Sequence, residues 1–103
     1  MKIELRHRVL DSLLKIPKGK ITTYGELARY HKTSPRAIAS ILRANKNPHS
    51  YPCYKVVMSS GKIGGYCGSD PKAIRKKITL LKKDGMEIQK MRIELSNYLF
   101  KFT

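Results

Sequence analysis

Residues 23–44 read Thr23-Tyr24-Gly25-Glu26-Leu27-Ala28-Arg29-Tyr30-His31-Lys32-Thr33-Ser34-Pro35-Arg36-Ala37-Ile38-Ala39-Ser40-Ile41-Leu42-Arg43-Ala44. Thr23 followed three residues later by Glu26 has the form of a capping box, which starts a helix running to about Lys32. Ser34-Pro35 supplies a second start: a Ser N-cap and a Pro at the first helical position, whose missing N–H would have no intrahelical partner anyway. Ala37, Ile38, Ile41 and Leu42 follow at helical spacing and end near Ala44. Two short helices joined by the brief His31–Thr33 link predict a helix-turn-helix.

Upstream, Leu5, Val9, Leu10, Leu13 and Leu14 recur at helical spacing, so residues 3–15 read as an amphipathic helix that Pro17 and Gly19 end. Downstream, Asn45-Lys46-Asn47-Pro48 reads as turns, and the β-branched run Lys55-Val56-Val57-Met58 as a short strand. Ser59-Ser60-Gly61-Lys62 is a turn, and the glycine-rich Ile63 to Gly68 is its return, giving a small hairpin wing. Pro71 opens another helix with Ile74, Ile78 and Leu81 on one face and Gly85 as its stop. In residues 86–103, Met91, Ile93, Leu95, Leu99 and Phe100 point to a tail packed on a core of residues 9–85. The expected fold is α+β: one mostly helical, winged helix-turn-helix domain over residues 1–103.

Composition narrows the partner. The 103 residues suffice for one domain and one core. With 41% apolar residues the chain is no disordered tail. No apolar run approaches the ~20 residues that cross a bilayer, and Met1 to Asp11 lacks a signal-peptide core. The expectation is an intracellular, soluble monomer without membrane contact. Lys and Arg number 22 against 7 Asp and Glu, a net charge of +15 that repels copies of itself and attracts polyanions. Nucleic acid is the default partner; a ribosome-associated or membrane-surface protein is the competing class. Two Cys and three scattered His match no zinc spacing, so neither metal nor cofactor is expected.

The sharpest segment is Tyr51-Pro52-Cys53-Tyr54-Lys55-Val56-Val57, followed by Ser59-Ser60-Gly61-Lys62-Ile63-Gly64-Gly65-Tyr66. It resembles the active-site domain of the O6-alkylguanine-DNA alkyltransferases, whose signature is Pro-Cys-His-Arg-Val. Ile16-Pro17-Lys18-Gly19-Lys20-Ile21-Thr22-Thr23-Tyr24-Gly25-Glu26-Leu27-Ala28 is similar to that family's lead-in, and Ser34-Pro35-Arg36-Ala37-Ile38-Ala39 to its recognition helix. The steps of 17 residues from Arg36 to Cys53 and 13 from Cys53 to Tyr66 fit the family. The likeness runs from about Val9 to Gly85 and lacks the amino-terminal domain that many members carry.

The resemblance implies double-stranded DNA containing O6-alkylguanine as partner. It also implies a single-turnover reaction, in which the alkyl group passes irreversibly to Cys53. The chemistry agrees, since displacement at a soft carbon suits a thiolate. By the same likeness Arg36 enters the duplex and fills the space of the extruded nucleotide, and Tyr24 crowds the 3′ phosphate. Flipping is needed because the target atom lies inside the stack. Ala37 and Ala39 are small enough for the narrow minor groove, although most members have Gly at the second position. Val56 would offer its carbonyl to the base, and Tyr66 would donate to the leaving guanine as a neutral phenol. Asn45 and Pro52 would shape the turns around the site. Arg43, Lys46, Lys62 and Lys72 are candidate phosphate contacts.

Four further positions depart from the family. Tyr54 stands where a His removes the thiol proton through a water, and a phenol with pKa near ~10 is a poor base at neutral pH. Asp84 replaces the Glu behind that His, Lys55 replaces Arg, and Cys67 stands where Ser is usual. Three outcomes stay open: transfer assisted by nearby cations, slow transfer, or a non-catalytic sensor that only holds the lesion. Binding-only relatives replace the Cys itself, usually with Trp, whereas Cys53 is kept. A plain winged-helix factor would want long polar side chains on the Pro35–Ala44 helix, which offers Ala37, Ala39 and Ser40 instead. Where the cell has organelles, the nucleus is the expected compartment; otherwise the cytoplasm.

Overall fold

The helix starts form as their side chains dictate. In the computed structural model, which describes residues 4–45, 50–63 and 71–102, Thr23 Oγ1 accepts from Glu26 N at 3.0 Å and opens α2 (Tyr24–His31). Ser34 Oγ accepts from Ala37 N at 3.1 Å and opens α3 (Pro35–Arg43) with Pro35 in its first turn. Lys32 ends α2 in the left-handed conformation at φ 56°, and the chain turns into α3. α1 (Leu5–Leu13) lies ahead of them and buries Val9, Leu10 and Leu13. Val9, Leu13, Leu27 and Ile38 are fully sequestered where α1, α2 and α3 meet. The helix-turn-helix and the mixed helix-and-strand class are as expected.

The described strands pair outside the expected wing. Cys53–Lys55 form a single 3-10 turn, so the strand begins only at β2 (Val56–Val57). β2 pairs in parallel with β1 (Thr22–Thr23), in the register Thr22↔Val56 and Thr23↔Val57. The pairing is non-local because Ile21, Val56 and Val57 are fully buried and have to share one interior. The Met58–Lys62 turn does form, with Gly61 N on Met58 O and Met58 N on Lys62 O, both 2.9 Å. Its expected return, residues 64–68, lies outside the described residues. The described hairpin instead comes from the tail, as β3 (Ile88–Gln89) against β4 (Arg92–Ile93). β4 in turn lies beside residues 61–63: Lys62 bridges Arg92, Ile93 N donates to Gly61 O at 2.9 Å, and Ile63 N donates to Met91 O at 3.0 Å.

α4 (Pro71–Lys83) packs on the 3-10 turn, and Leu81 joins Ile21, Val57, Ile63, Met86 and Ile93 in a second core cluster. After α5 (Leu95–Tyr98) the chain runs beside β1. Ile21 N donates to Tyr98 O at 2.9 Å and Phe100 N to Ile21 O at 2.7 Å. Phe102 is buried, stacks on Tyr30 with centroids 5.0 Å apart, and meets Phe100 edge-on at 5.1 Å. Glu26 holds this end of the chain. Its carboxylate accepts from Phe102 N at 2.8 Å and pairs with Arg29 at 2.7 Å, while Arg29 Nη2 donates to Phe102 O at 3.0 Å. Glu26 therefore serves half of the expected capping box: its backbone N–H is capped, but its side chain reaches for the carboxy-terminal segment. Among the described residues no helix is long and apolar enough to cross a membrane.

Candidate functional site

Cys53 opens the 3-10 turn between α3 and β2, with its N–H on Tyr51 O at 2.8 Å and only 4% of its surface exposed. Asn45 fastens the approach to this turn: it is buried, and its Nδ2 donates to Tyr51 O at 2.9 Å. Tyr51 O thus receives two N–H groups, one from Asn45 and one from Cys53. Pro52, at φ −75°, has no N–H of its own to satisfy and sets the turn.

Tyr24, the first residue of α2, is half-buried. Burial pushes its phenol above its ordinary pKa, the charge of the Cys53 thiolate adds to that rise, and Arg43 opposes it. Tyr24 therefore lies within electrostatic reach of both Cys53 and Arg43, and it packs against the core cluster that includes Cys53. Arg36 is exposed in the first turn of α3, with Ala37 and Ala39 half-buried beside it. That helix carries short side chains next to one long cation near its N-terminal end.

On the other side of the Cys53 turn, Tyr54 Oη donates to Asp84 Oδ2 at 2.6 Å. Tyr54 packs against both core clusters, and Asp84 follows the last residue of α4. The bond ties the turn that carries Cys53 to the end of that helix. The two positions that depart most from the family motif are therefore paired with each other. A phenol whose proton is committed to a carboxylate is poorly placed to take a proton from a thiol.

Two buried lysines complete the surroundings: Lys55, which the sequence marked only as a replacement for the family's Arg, and Lys77, to which it gave no place. Lys55 Nζ donates to Ile16 O at 3.0 Å, and burial lowers its pKa while Asp84 partly offsets the effect. Lys77 is fully buried, and its Nζ donates to Val56 O at 2.5 Å. That carbonyl, which the family likeness reserves for the target base, already holds one Nζ donor and keeps its second lone pair. The signal for Lys77 was present in the sequence: it lies three residues after Ile74 and four before Leu81, on the apolar stripe of α4. Thr22 Oγ1, fully buried beside Val56, is the one buried side-chain N or O without a hydrogen-bond partner among the described residues.

Of the remaining candidates, Tyr66, Cys67 and Lys46 lie outside the described residues. Lys62 and Lys72 are exposed, the first at the Lys62↔Arg92 bridge and the second in the first turn of α4.

Residues 4–86 match the family described as 6-O-methylguanine DNA methyltransferase, DNA binding domain. A bifunctional methyltransferase/endonuclease of Picrophilus torridus is 40% identical over 100 residues, which are 95% of this chain and 32% of that protein. A methylated-DNA–protein-cysteine methyltransferase of Methanothermobacter thermautotrophicus is 37% identical over 86 residues, 84% of this chain and 47% of that one. The chain thus spans less than half the length of these two relatives. Among solved structures, Schizosaccharomyces pombe Atl1 in complex with damaged DNA containing O6-carboxymethylguanine superimposes with a TM-score of 0.84 at 27% identity, covering 98% of this chain and 99% of that chain. The O6-methylguanine-DNA methyltransferase of Pyrococcus kodakaraensis gives a TM-score of 0.69 at 34% identity, covering 81% of this chain and 47% of that one.

Proposed function

The chain belongs to the 6-O-methylguanine DNA methyltransferase family through that family's DNA-binding domain, and from this premise we propose that it repairs alkylated guanine by accepting the alkyl group on Cys53. The observation that carries the reading is Cys53, buried in the turn before β2, with Tyr24 of the helix-turn-helix packed against the same core cluster. α3 enters the minor groove on its short side chains, Ala37 and Ala39, while Lys and Arg neutralise phosphates on either side. Arg36 takes the place of the extruded nucleotide, and Tyr24 presses on the backbone beside it.

The Cys53 sulfur, as thiolate, attacks the alkyl carbon. The S–C bond forms as the C–O6 bond breaks, and guanine leaves as an anion that takes up a proton. No second substrate is required, and the protein is consumed as a monomer in one turnover. Tyr54, engaged with Asp84, holds the Cys53 turn in place and does not serve as the base. The thiol's own ionisation therefore sets the rate near neutral pH.

A second reading is lesion binding without transfer. It is favoured by the full-length likeness to Atl1 and by the loss of the His that removes the thiol proton. The two readings separate on variants assayed with a duplex carrying O6-methylguanine. Cys53→Ala abolishes transfer but leaves binding, and Arg36→Ala impairs both. Full activity in Arg36→Ala would remove the flipping step from the proposal, and absent transfer by the unaltered protein would favour the second reading.

A further inference from the structure

The β3–β4 hairpin lies beyond residue 86, where the family match ends. Three features at this hairpin oppose stability. Its two-residue turn places Lys90 and Met91 at φ 52° and 62°. Consecutive left-handed residues form the turn that two-residue hairpins prefer, but Asn-Gly is the pair that adopts it easily. Met91, 50% exposed, is one of only three large apolar side chains left in solvent among the described residues. Finally, Lys62 stands directly opposite Arg92 in antiparallel register, both exposed, and like charges so placed repel. Neither has an ion-pair partner among the described residues. Strain and repulsion that persist together mark a surface whose partner is elsewhere.

The charges are graded along the hairpin. Lys62, Lys90 and Arg92 gather at the tip, whereas Glu87 and Glu94 lie at the opposite end, next in register beyond Ile88↔Ile93. The tip is also anchored to the candidate site through the backbone. Ile63 N donates to Met91 O at 3.0 Å, and Met58 N to Lys62 O at 2.9 Å, directly after β2. The same turn touches α2 beside Tyr24, where a Cβ on Gly25 would lie 2.6 Å from Ser59 Oγ.

We propose that the β3–β4 hairpin is a second DNA-contacting element, in which Lys62, Lys90 and Arg92 grip the phosphodiester backbone of the duplex that α3 engages. The inference rests on the reading of this chain as a duplex-DNA binder. Backbone contacts are blind to base identity, so the hairpin adds affinity for lesion and unmodified duplex alike. It performs the role of a wing and is built from the carboxy-terminal tail together with Lys62.

The test is fluorescence anisotropy of a labelled duplex, with and without O6-methylguanine, over a series of salt concentrations. Removing one cation from a phosphate lowers the slope of log K against log salt by about 0.9. Lys90→Gln should lower it by one such step, and Lys62→Gln/Lys90→Gln/Arg92→Gln by two to three, equally on both duplexes and with no fall in melting temperature. Lys90→Asn/Met91→Gly, which installs the favoured turn, should melt higher yet bind more weakly. An unchanged slope in the triple variant, with the unaltered protein still salt-sensitive, overturns the hairpin's role and leaves duplex binding standing. No salt dependence in the unaltered protein overturns the underlying reading itself. Should the triple variant not fold, Lys90→Gln, at an exposed turn, decides alone.

Discussion

Replacing Tyr54 by Phe removes a single oxygen and with it the 2.6 Å bond to Asp84. The donor is neutral and the acceptor a carboxylate, so the net contribution belongs to the charged class, about 1.5–3 kcal/mol. Asp84 is otherwise badly placed: it directly follows the last residue of α4, where the helix's carbonyl ends disfavour negative charge. The Lys55 ammonium attracts it but already donates to Ile16 O. Tyr54→Phe should therefore cost about 2 kcal/mol, which in a domain of this size lowers the melting temperature by roughly 8–16 °C. Urea unfolding of Tyr54→Phe, Asp84→Asn and the double variant isolates the pair. A coupling of about 1 kcal/mol or more is expected, because residues in direct contact do not add. Alkyl transfer by Tyr54→Phe should fall less than about tenfold, with the pH profile unmoved, since Tyr54 positions the turn and takes no proton. Tyr54→His should instead raise the rate at neutral pH by supplying a base with pKa near ~6.5. A stability change within about 0.3 kcal/mol and zero coupling would refute the tether. A collapse of the transfer rate in a fully stable Tyr54→Phe would refute its purely positioning role.

Three further outcomes follow from the same geometry. His31 Nε2 lies 3.1 Å from Ser12 Oγ, whose proton is committed to Val9 O, so Nε2 is the donor of this pair. Burial lowers its pKa below the ordinary 6.5, and Arg8 and Lys15 add to the effect, so its contribution is complete above 6.5 and is lost as pH falls through the folded value. Thermal melts should decline as pH falls below about 6.5, and His31→Asn should flatten that decline. Glu26, whose pKa is lowered chiefly by its bond to Arg29, acts in a separate window below 4.5. Thr22→Val removes the unpartnered buried hydroxyl at constant shape and should stabilise by about 1 kcal/mol in urea titration; a loss of that size would mean the hydroxyl holds a buried water. Gly61→Ala should cost about 3 kcal/mol, because φ is +91° and the new Cβ would lie 2.9 Å from Ile93 O; an unchanged melting curve would contradict the pairing of residues 61–63 with β4.

The helix-turn-helix was legible because its signals are local. Thr23, Ser34 and Pro35 declare helix starts within a few residues, and Ile38, Ile41 and Leu42 show the buried face. The parallel β1–β2 pair was not legible, since two-residue strands more than thirty positions apart carry no periodicity of their own. The tail hid its hairpin for a related reason: Lys90-Met91 is not a turn pair that sequence rules favour. Glu26 shows the limit of a correct motif. Its spacing to Thr23 marks the helix start, but its carboxylate is recruited by Phe102, 76 residues away. At the candidate site, the order Tyr24, Arg36, Cys53 could be read by likeness. The Tyr54–Asp84 bond and the buried Lys77 Nζ on Val56 O required the packing of α4 to appear.

Whether Cys53 accepts an alkyl group is tested most directly by intact-protein mass spectrometry. The full chain is mixed with a duplex containing O6-methylguanine, and the modified residue is located by peptide mapping. The expected result is a single mass gain, one methyl replacing one hydrogen, confined to Cys53 and saturating at one per molecule. An unmodified protein that nevertheless binds the lesion-bearing duplex more tightly than the plain one would contradict transfer, and would make this chain a lesion-binding protein whose thiol is idle.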